Sequence, residues 1–255
     1  MKVLVAIDGE PPSEEALRLL IKIGDRNKID LTVMAVEGFD MALLEGARTE
    51  GRYSREAGRM HATEIVDRTV EECLAQGFRV TGRVAEGYPP FEILHEIERG
   101  RHEVTVLGTG KSSWMGQLML GSVSTKVLHA SPTSVLVVRQ AVEEGRGQIL
   151  IGTDGSRGSE FALRAAIGLA DPERVSMHVT SVVRLEEAAA MDADWSRDFS
   201  TGRDELMSHL RHQAESHVGS AKGLLTEAVS QPMPASSRVI LPANCSSRPR
   251  RPVSI

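Results

Sequence analysis

The chain of 255 residues is poor in cysteine, holding only Cys73 and Cys245. Two thiols, one in a helix-like segment and one near the C-terminus, exclude a disulfide framework and a cysteine-rich metal cluster. Long apolar runs are missing as well. None approaches the roughly 18 residues a membrane-crossing helix needs. Positive charge is not in excess, since Lys and Arg number 30 against 35 Asp and Glu, a formal net charge of -5. General electrostatic attraction to nucleic acid or to an anionic membrane is therefore not expected. MKVLVAIDGE at the N-terminus lacks the apolar core and small-residue cleavage site of a secretory signal, because Asp8 interrupts it. A cytoplasmic location is the expectation these absences leave. What remains is 41% hydrophobic and 25% charged, the composition of a soluble globular protein long enough for one large domain or two ordinary ones.

A repeat organises the chain. KVLVAIDGEPPSEEALRLL (Lys2–Leu20) is echoed by QILIGTDGSRGSEFALRAA (Gln148–Ala166). Each is an apolar run ending in Asp-Gly, then a short turn, then Ser-Glu opening an amphipathic helix. Asp8 matches Asp154, Gly9 matches Gly155, Ser13 matches Ser159 and Leu17 matches Leu163, all 146 positions apart. The same offset carries TVMAVE (Thr32–Glu37) onto HVTSVV (His178–Val183). A register kept across three elements predicts a duplication.

The first copy reads to its end. LVAI, TVMAV, FRVTGRV, VTVLG and SVLVV are apolar, β-branched runs, most of them suited to strands covered on both faces. Helical patterns separate them. Ser13 is placed as the cap of the first, with Glu14 and Glu15 in its first turn and Leu17, Leu20 and Ile21 on one face. A longer helix is expected over Ser54–Gln76, stopped by Gly77. PPFEILHEIERG (Pro89–Gly100) starts with proline and ends with glycine, and SVSTKVLHA follows Gly121. Five alternations of strand and helix predict a doubly wound, parallel, five-stranded, Rossmann-like α/β sheet over residues 1–139.

After a linker at 140–147, the second copy spans 148–229 and is incomplete. It has helix-like Arg203–Ala228, but no counterpart of VTVLG, of the glycine-containing stretch or of SVLVV. Residues 230–255 carry Pro232, Pro234, Pro242, Pro249 and Pro252 among serines, a composition of disordered tails. RVIL within them is the run able to pair as a third strand, and RPRR reads as a solvated cluster. His209, His212 and His217 share the second copy's helix without an accompanying carboxylate or cysteine pattern, so they read as a polar face rather than as metal ligands. No Ser–His–Asp grouping stands out, and no catalytic residue or metal site is assigned.

VLGTGKSSWMGQLMLGSVS (Val106–Ser124) holds two competing signals. GTGKSS suggests the phosphate loop of a nucleotide hydrolase. That loop needs Gly-x4-Gly-Lys-Ser/Thr, and its first glycine would fall on Thr105. A P-loop hydrolase is thus disfavoured. The second signal is Gly121-Ser122. In a doubly wound sheet ligands bind beyond the strands' carboxyl ends, where strand order reverses. The first and fourth strands would flank that point, bringing Asp8 together with the loop beginning at Gly108. Gly108 lacks a Cβ and lets backbone approach a ligand closely. Gly121 and Ser122 open a helix whose free N–H groups favour an anion such as phosphate; Ser122 also suits an N-cap, and the two roles are compatible.

Taken together, VAIDG, EGYPPFEIL, VTVLGTG, LMLGSVSTKVL and PTSVLVVR resemble the universal stress protein family in order and spacing. The resemblance covers residues 2–139 fully and 148–229 in part, as a tandem member with a truncated second domain. It implies an adenine-nucleotide-binding regulatory module in the stress response, with ATP, with or without magnesium, as ligand and slow hydrolysis at most. It also implies site residues: Ala6, Ile7 and Asp8 at the first strand, with Asp8 near adenine and ribose, and the Val36 backbone at the adenine. Leu107, Gly108, Gly110, Lys111, Gly121, Ser122, Val123 and Ser124 complete the set around the phosphates.

Asp8 has a second reading, as a strand-end aspartate bonding its own turn. The family's ATP binders carry Gly-x2-Gly-x9-Gly-Ser/Thr, and its other members lack the pattern and bind no nucleotide. Here the second glycine's place is held by Lys111, with Gly110 one position early. Either the loop re-forms around Gly110 and Lys111 joins the phosphate contacts, or Lys111 strains and crowds the site and binding is lost. In the second case a fold of the same type acts through dimerisation or partner contacts. The resemblance also implies pairing through the last strand, so a homodimer through Ser134–Val138 is expected, because the second copy offers no such strand. GFDMALLEGARTEGRYS (Gly38–Ser54) reads either as a flap over the site or as a packed connecting helix.

Overall fold

The computed structural model describes residues 1–38, 50–109, 120–139, 145–183, 201–228 and 236–240. It divides into two compact units, Met1–Gly145 with Gly168–Asp171, and Arg146–Ile167 with Pro172–Ile255. Among the described residues, no helix is long and apolar enough to cross a membrane.

The first unit runs β1 (Lys2–Ile7), α1 (Pro11–Ile23), β2 (Asp30–Gly38), α2 (Glu50–Ala75), β3 (Arg79–Gly87), α3 (Pro89–Gly100), β4 (Val104–Gly108), α4 (Ser122–Ala130) and β5 (Ser134–Val138). The sheet is wholly parallel in the order β3-β2-β1-β4-β5, as the alternating pattern predicts. Strand order therefore reverses between β1 and β4. Alternate residues of each strand serve opposite faces. Leu4, Met34 and Leu107 meet Ile93 and Ile97 of α3 and Val127 of α4 in one buried cluster. On the other face α1 covers β1, β4 and β5, while α2 covers β2 and β3. Val3, Val5, Leu31, Val33 and Val106 are all buried.

The start of α1 differs from the expectation, whereas α3 spans the expected Pro89–Gly100. Glu10, not Ser13, is the N-cap of α1, because Pro11 and Pro12 occupy the first helical positions, where proline's fixed φ suits a helix start. Ser13 lies one turn in and is buried. Gly100 is the last residue of α3, and Arg101 takes the left-handed turn at φ 55. Gly100 answers a need for space: a Cβ there would run into the His102 ring. At the end of α2, Gly77 does take positive φ, +85, as a C-terminal stop requires.

Beside α3, two half-exposed arginines and a buried histidine surround the buried Glu96. Glu96 Oε2 meets Arg99 at 2.8 Å and Arg83 of β3 at 3.1 Å. Burial pushes its pKa up, but the Arg99 hydrogen bond and the charges of Arg83 and Arg99 outweigh that and hold it below its ordinary value. His102 Nε2 stands 3.5 Å from Glu96 Oε1, too long for a firm hydrogen bond, and neither ring nitrogen has another partner. Burial lowers the His102 pKa, Glu96 pulls it the other way, and Lys2 and Arg99 add to the lowering.

The second unit contains β6 (Gly147–Gly152), α5 (Arg157–Leu169), β7 (Val175–Val182), α6 (Thr201–Ala228) and β8 (Ser236–Ile240), with a parallel sheet in the order β6-β7-β8. Its register repeats the first unit's. Lys2–Asp30 through Ala6–Met34 correspond, at the same offset, to Gln148–Ser176 through Gly152–Thr180. β8 pairs beside β7 as β3 does beside β2. It falls inside the stretch whose composition predicts disorder; over these five residues the apolar, β-branched end of SSRVI forms a strand instead.

Candidate functional site

At the reversal point the strands part. β1 pairs with β4 only from Val3–Val104 to Val5–Val106. β1 goes on pairing with β2 as far as Ile7–Ala35, and β4 with β5 as far as Gly108–Val138. Ala6 and Ile7 on one side, and Leu107 and Gly108 on the other, thus flank an opening at the carboxyl end of the sheet.

On the β1 side the chain turns at once. Gly9 takes φ +75, a conformation open to glycine at little cost. The Asp8 carboxylate then faces back over the turn, where its Oδ1 accepts from the Glu10 amide at 3.0 Å and from the Ser13 hydroxyl at 2.6 Å. Ser13 Oγ also lies 2.9 Å from the Glu10 carbonyl, and the shorter, charge-assisted contact to Asp8 is the stronger of the two. The Asp8 amide donates to the same Ser13 oxygen at 3.2 Å. Asp8 does bond its own turn, yet it remains exposed.

On the β4 side Thr109 is buried, and its carbonyl accepts from the Gly121 amide at 2.5 Å. That bond brings the strand's end to the start of α4. Gly121 is the N-cap, without a side-chain cap, so Ser122 is the first helical residue and not the cap. Ser122 is exposed, whereas Ser124 is buried and donates to the Gly121 carbonyl at 3.1 Å. No acidic residue stands in the first turn of α4. Among the described residues no side chain caps its orphan N–H groups, which with the positive dipole end favour an anion.

Ala6, Val36 and Val123 pack around the buried cluster containing Leu107. The structure therefore brings together Ala6, Val36, Leu107 and Val123 of the expected set, whereas Ile7 lies on the other face beside Ser13, Leu17 and Ile65. Gly110 and Lys111 lie outside the described residues, as does most of Gly38–Ser54. Gly108 has a reason of its own for being glycine. A Cβ there would run into the Pro12 carbonyl group and stand 2.7 Å from the Ser13 nitrogen, so β4 packs directly on the first turn of α1. Sequence reasoning missed Ser13 and Thr109 as the parts that hold the site's two walls. The recurrence of the Asp–x4–Ser spacing as Asp154 and Ser159 was the available signal for Ser13; Thr109 had none.

The universal stress protein family model matches residues 1–139. The chain belongs to the universal stress protein family. Curated relatives of this universal stress protein include one from Mycolicibacterium smegmatis, 25% identical over 82% of this chain and 73% of that one. Another, YxiE of Bacillus subtilis, is 28% identical over 54% of this chain and 98% of its own. In fold, the chain resembles a universal stress protein from Archaeoglobus fulgidus with a TM-score of 0.55 at 20% identity, over 82% of this chain and 72% of that one.

The second unit of this universal stress protein rebuilds the Asp8 turn. Gly155 takes φ +75 as Gly9 does. Asp154 Oδ1 accepts from the Ser156 amide at 2.9 Å, and Ser159 Oγ donates to the Ser156 carbonyl at 2.9 Å. The Ser156 hydroxyl and amide, with Ser159, hold the Asp154 pKa down at about 2. Contacts differ in two places: the Ser159 hydroxyl lies 3.2 Å from the Thr153 hydroxyl where Ser13 bonds Asp8, and the His217 ring lies over Gly155 where Ile65 of α2 lies over Gly9. His209 and His212 on the same helix are exposed. Among the described residues, no three His, Cys, Asp or Glu converge to hold a metal.

Proposed function

We propose that the first unit is an adenine-nucleotide-binding regulatory module that takes ATP, with or without magnesium, and acts by binding rather than turnover. The parting of β1 and β4 beyond Val5 and Val106 carries this reading. It leaves an opening walled by the Asp8 turn and by the uncapped, acid-free start of α4, the place where doubly wound sheets receive ligands. Apolar Ala6, Val36 and Val123 line the approach for a base, and Gly121, Ser122 and Ser124 supply the helix start for phosphate. Residues 148–229 are then an incomplete second copy, supported by the repeated β-register and the repeated turn.

Titration calorimetry with ATP on the native chain, beside Lys111→Gly, tests the reading. Binding by the native chain supports it. Binding by the variant alone makes Lys111 a disabling substitution, and binding by neither overturns the reading. One observation favours an additional role in assembly. β5 stands at the sheet edge with Val135, Leu136 and Val137 only half-buried, and such an edge invites pairing. The partner proposed for it is a second copy of the chain, through Ser134–Val138.

A further inference from the structure

Lys126 occupies the same face of α4 as Ser122, four residues on, and both are exposed. Side chains on a helix lean toward its N-terminus. A lysine at this position is thus within reach of the first turn of α4, the turn that flanks the proposed nucleotide opening. Its ammonium donates a hydrogen bond to the hydroxyl of Tyr88, the N-cap of α3. The Nζ lies 5.0 Å from the Tyr88 ring centroid, and with the hydroxyl between them this is an edge contact rather than a cation above the ring. Tyr88 is 44% exposed, so the pair is accessible to a ligand. Among the described residues no carboxylate pairs with Lys126.

This arrangement has the wrong sign for a helix on its own. Helix N-termini carry partial positive charge and favour acids nearby, and a side-chain cap adds stability. α4 has neither in its first turn, and Lys126 adds a further positive charge close by. A bound anion relieves all three conditions together. The Tyr88 hydroxyl offers the ammonium a neutral acceptor, whereas a phosphate oxygen offers a charged and stronger one.

We propose that Lys126 reads the length of the nucleotide's phosphate chain. In the free protein it rests on Tyr88; in the complex it moves to the outer phosphates, so the protein prefers tri- and diphosphates to the monophosphate. The inference rests on the nucleotide-binding reading above. Tyr88 is a positioning residue, since it acts through Lys126.

Calorimetric titration of ATP, ADP and AMP into the full chain tests this, with Lys126→Met, Lys126→Gln, Lys126→Arg and Tyr88→Phe compared. Loss of one charge-assisted contact predicts that both neutral variants weaken ATP roughly tenfold or more, and AMP less than about threefold. Lys126→Arg keeps the ATP-over-AMP preference, and Tyr88→Phe keeps or raises it. If the neutral variants leave ATP unchanged, or weaken ATP and AMP equally, the role of Lys126 is overturned while nucleotide binding stands. If the native chain binds none of the three, the nucleotide-binding reading itself fails, and this inference with it.

Discussion

Ser13 bonds Asp8 across the first turn of the chain, hydroxyl to carboxylate, at 2.6 Å. The bond ties the end of β1 to α1 and fixes where the Asp8 carboxylate points. Ser13→Ala removes a buried donor from a charged acceptor. It is expected to cost about 1–2 kcal/mol, read as a lower denaturation midpoint of the first unit. ATP affinity should fall with it, because Asp8 loses its orientation. Unchanged affinity at lowered stability would separate Asp8 from the ligand.

Two glycines give a matched comparison. Gly108 has the Ser13 nitrogen 2.7 Å from where a Cβ would stand, whereas Gly152 in β6 has nothing within 4 Å. Gly108→Ala forces β4 away from α1 and should destabilise by about 1–3 kcal/mol, as overpacking does. Gly152→Ala should lie near neutrality. Equal melting shifts for the two would refute the close β4–α1 contact as the reason for Gly108.

His102 makes stability depend on pH. Its pKa in the folded protein is depressed, mainly by burial, so on acidification the unfolded chain binds its proton first. Its contribution is therefore complete above the ordinary value of about 6.5 and is lost as pH falls from there toward the folded value. Glu96, Lys2 and Arg99 are the charges that face it, and Glu96 remains ionised across this window because its own pKa is lowered. Thermal melts between about pH 7.5 and about pH 5.5 should show the native chain losing stability relative to His102→Leu. Parallel pH profiles would show that His102 does not titrate in this way.

The β5 edge predicts a dimer by light scattering at about 50 µM protein, an ordinary working concentration. Leu136→Glu places a charge on the half-buried edge and should shift the mass to that of a monomer. A native chain that is monomeric at that concentration removes β5 as an interface.

Much of the fold was legible because it is periodic. Continuous β-branched runs separated by amphipathic stretches could satisfy their backbone and bury their faces in few ways other than a parallel, helix-covered sheet. The strand order, with its reversal between β1 and β4, is what a doubly wound sheet implies rather than what alternation alone fixes. Element ends were less legible. Ser13 read as a cap until Pro11 and Pro12 set the helix start earlier, and Ser122 gave the N-cap position to Gly121. Such boundaries depend on which backbone groups find partners, and hydrogen-bonding alternatives within one helical turn look alike in a string of letters.

By itself, the sequence determined the strand and helix order, the 146-residue repeat and the glycine-serine pair that opens α4, because each is a local pattern. Only the tertiary structure decided what those residues are for. Gly108 is glycine where β4 meets the backbone of α1, Thr109 holds Gly121 by its carbonyl, and Lys126 meets Tyr88 from another helix. Each of these contacts joins segments distant along the chain, and their geometry exists only once the sheet has set the helices side by side.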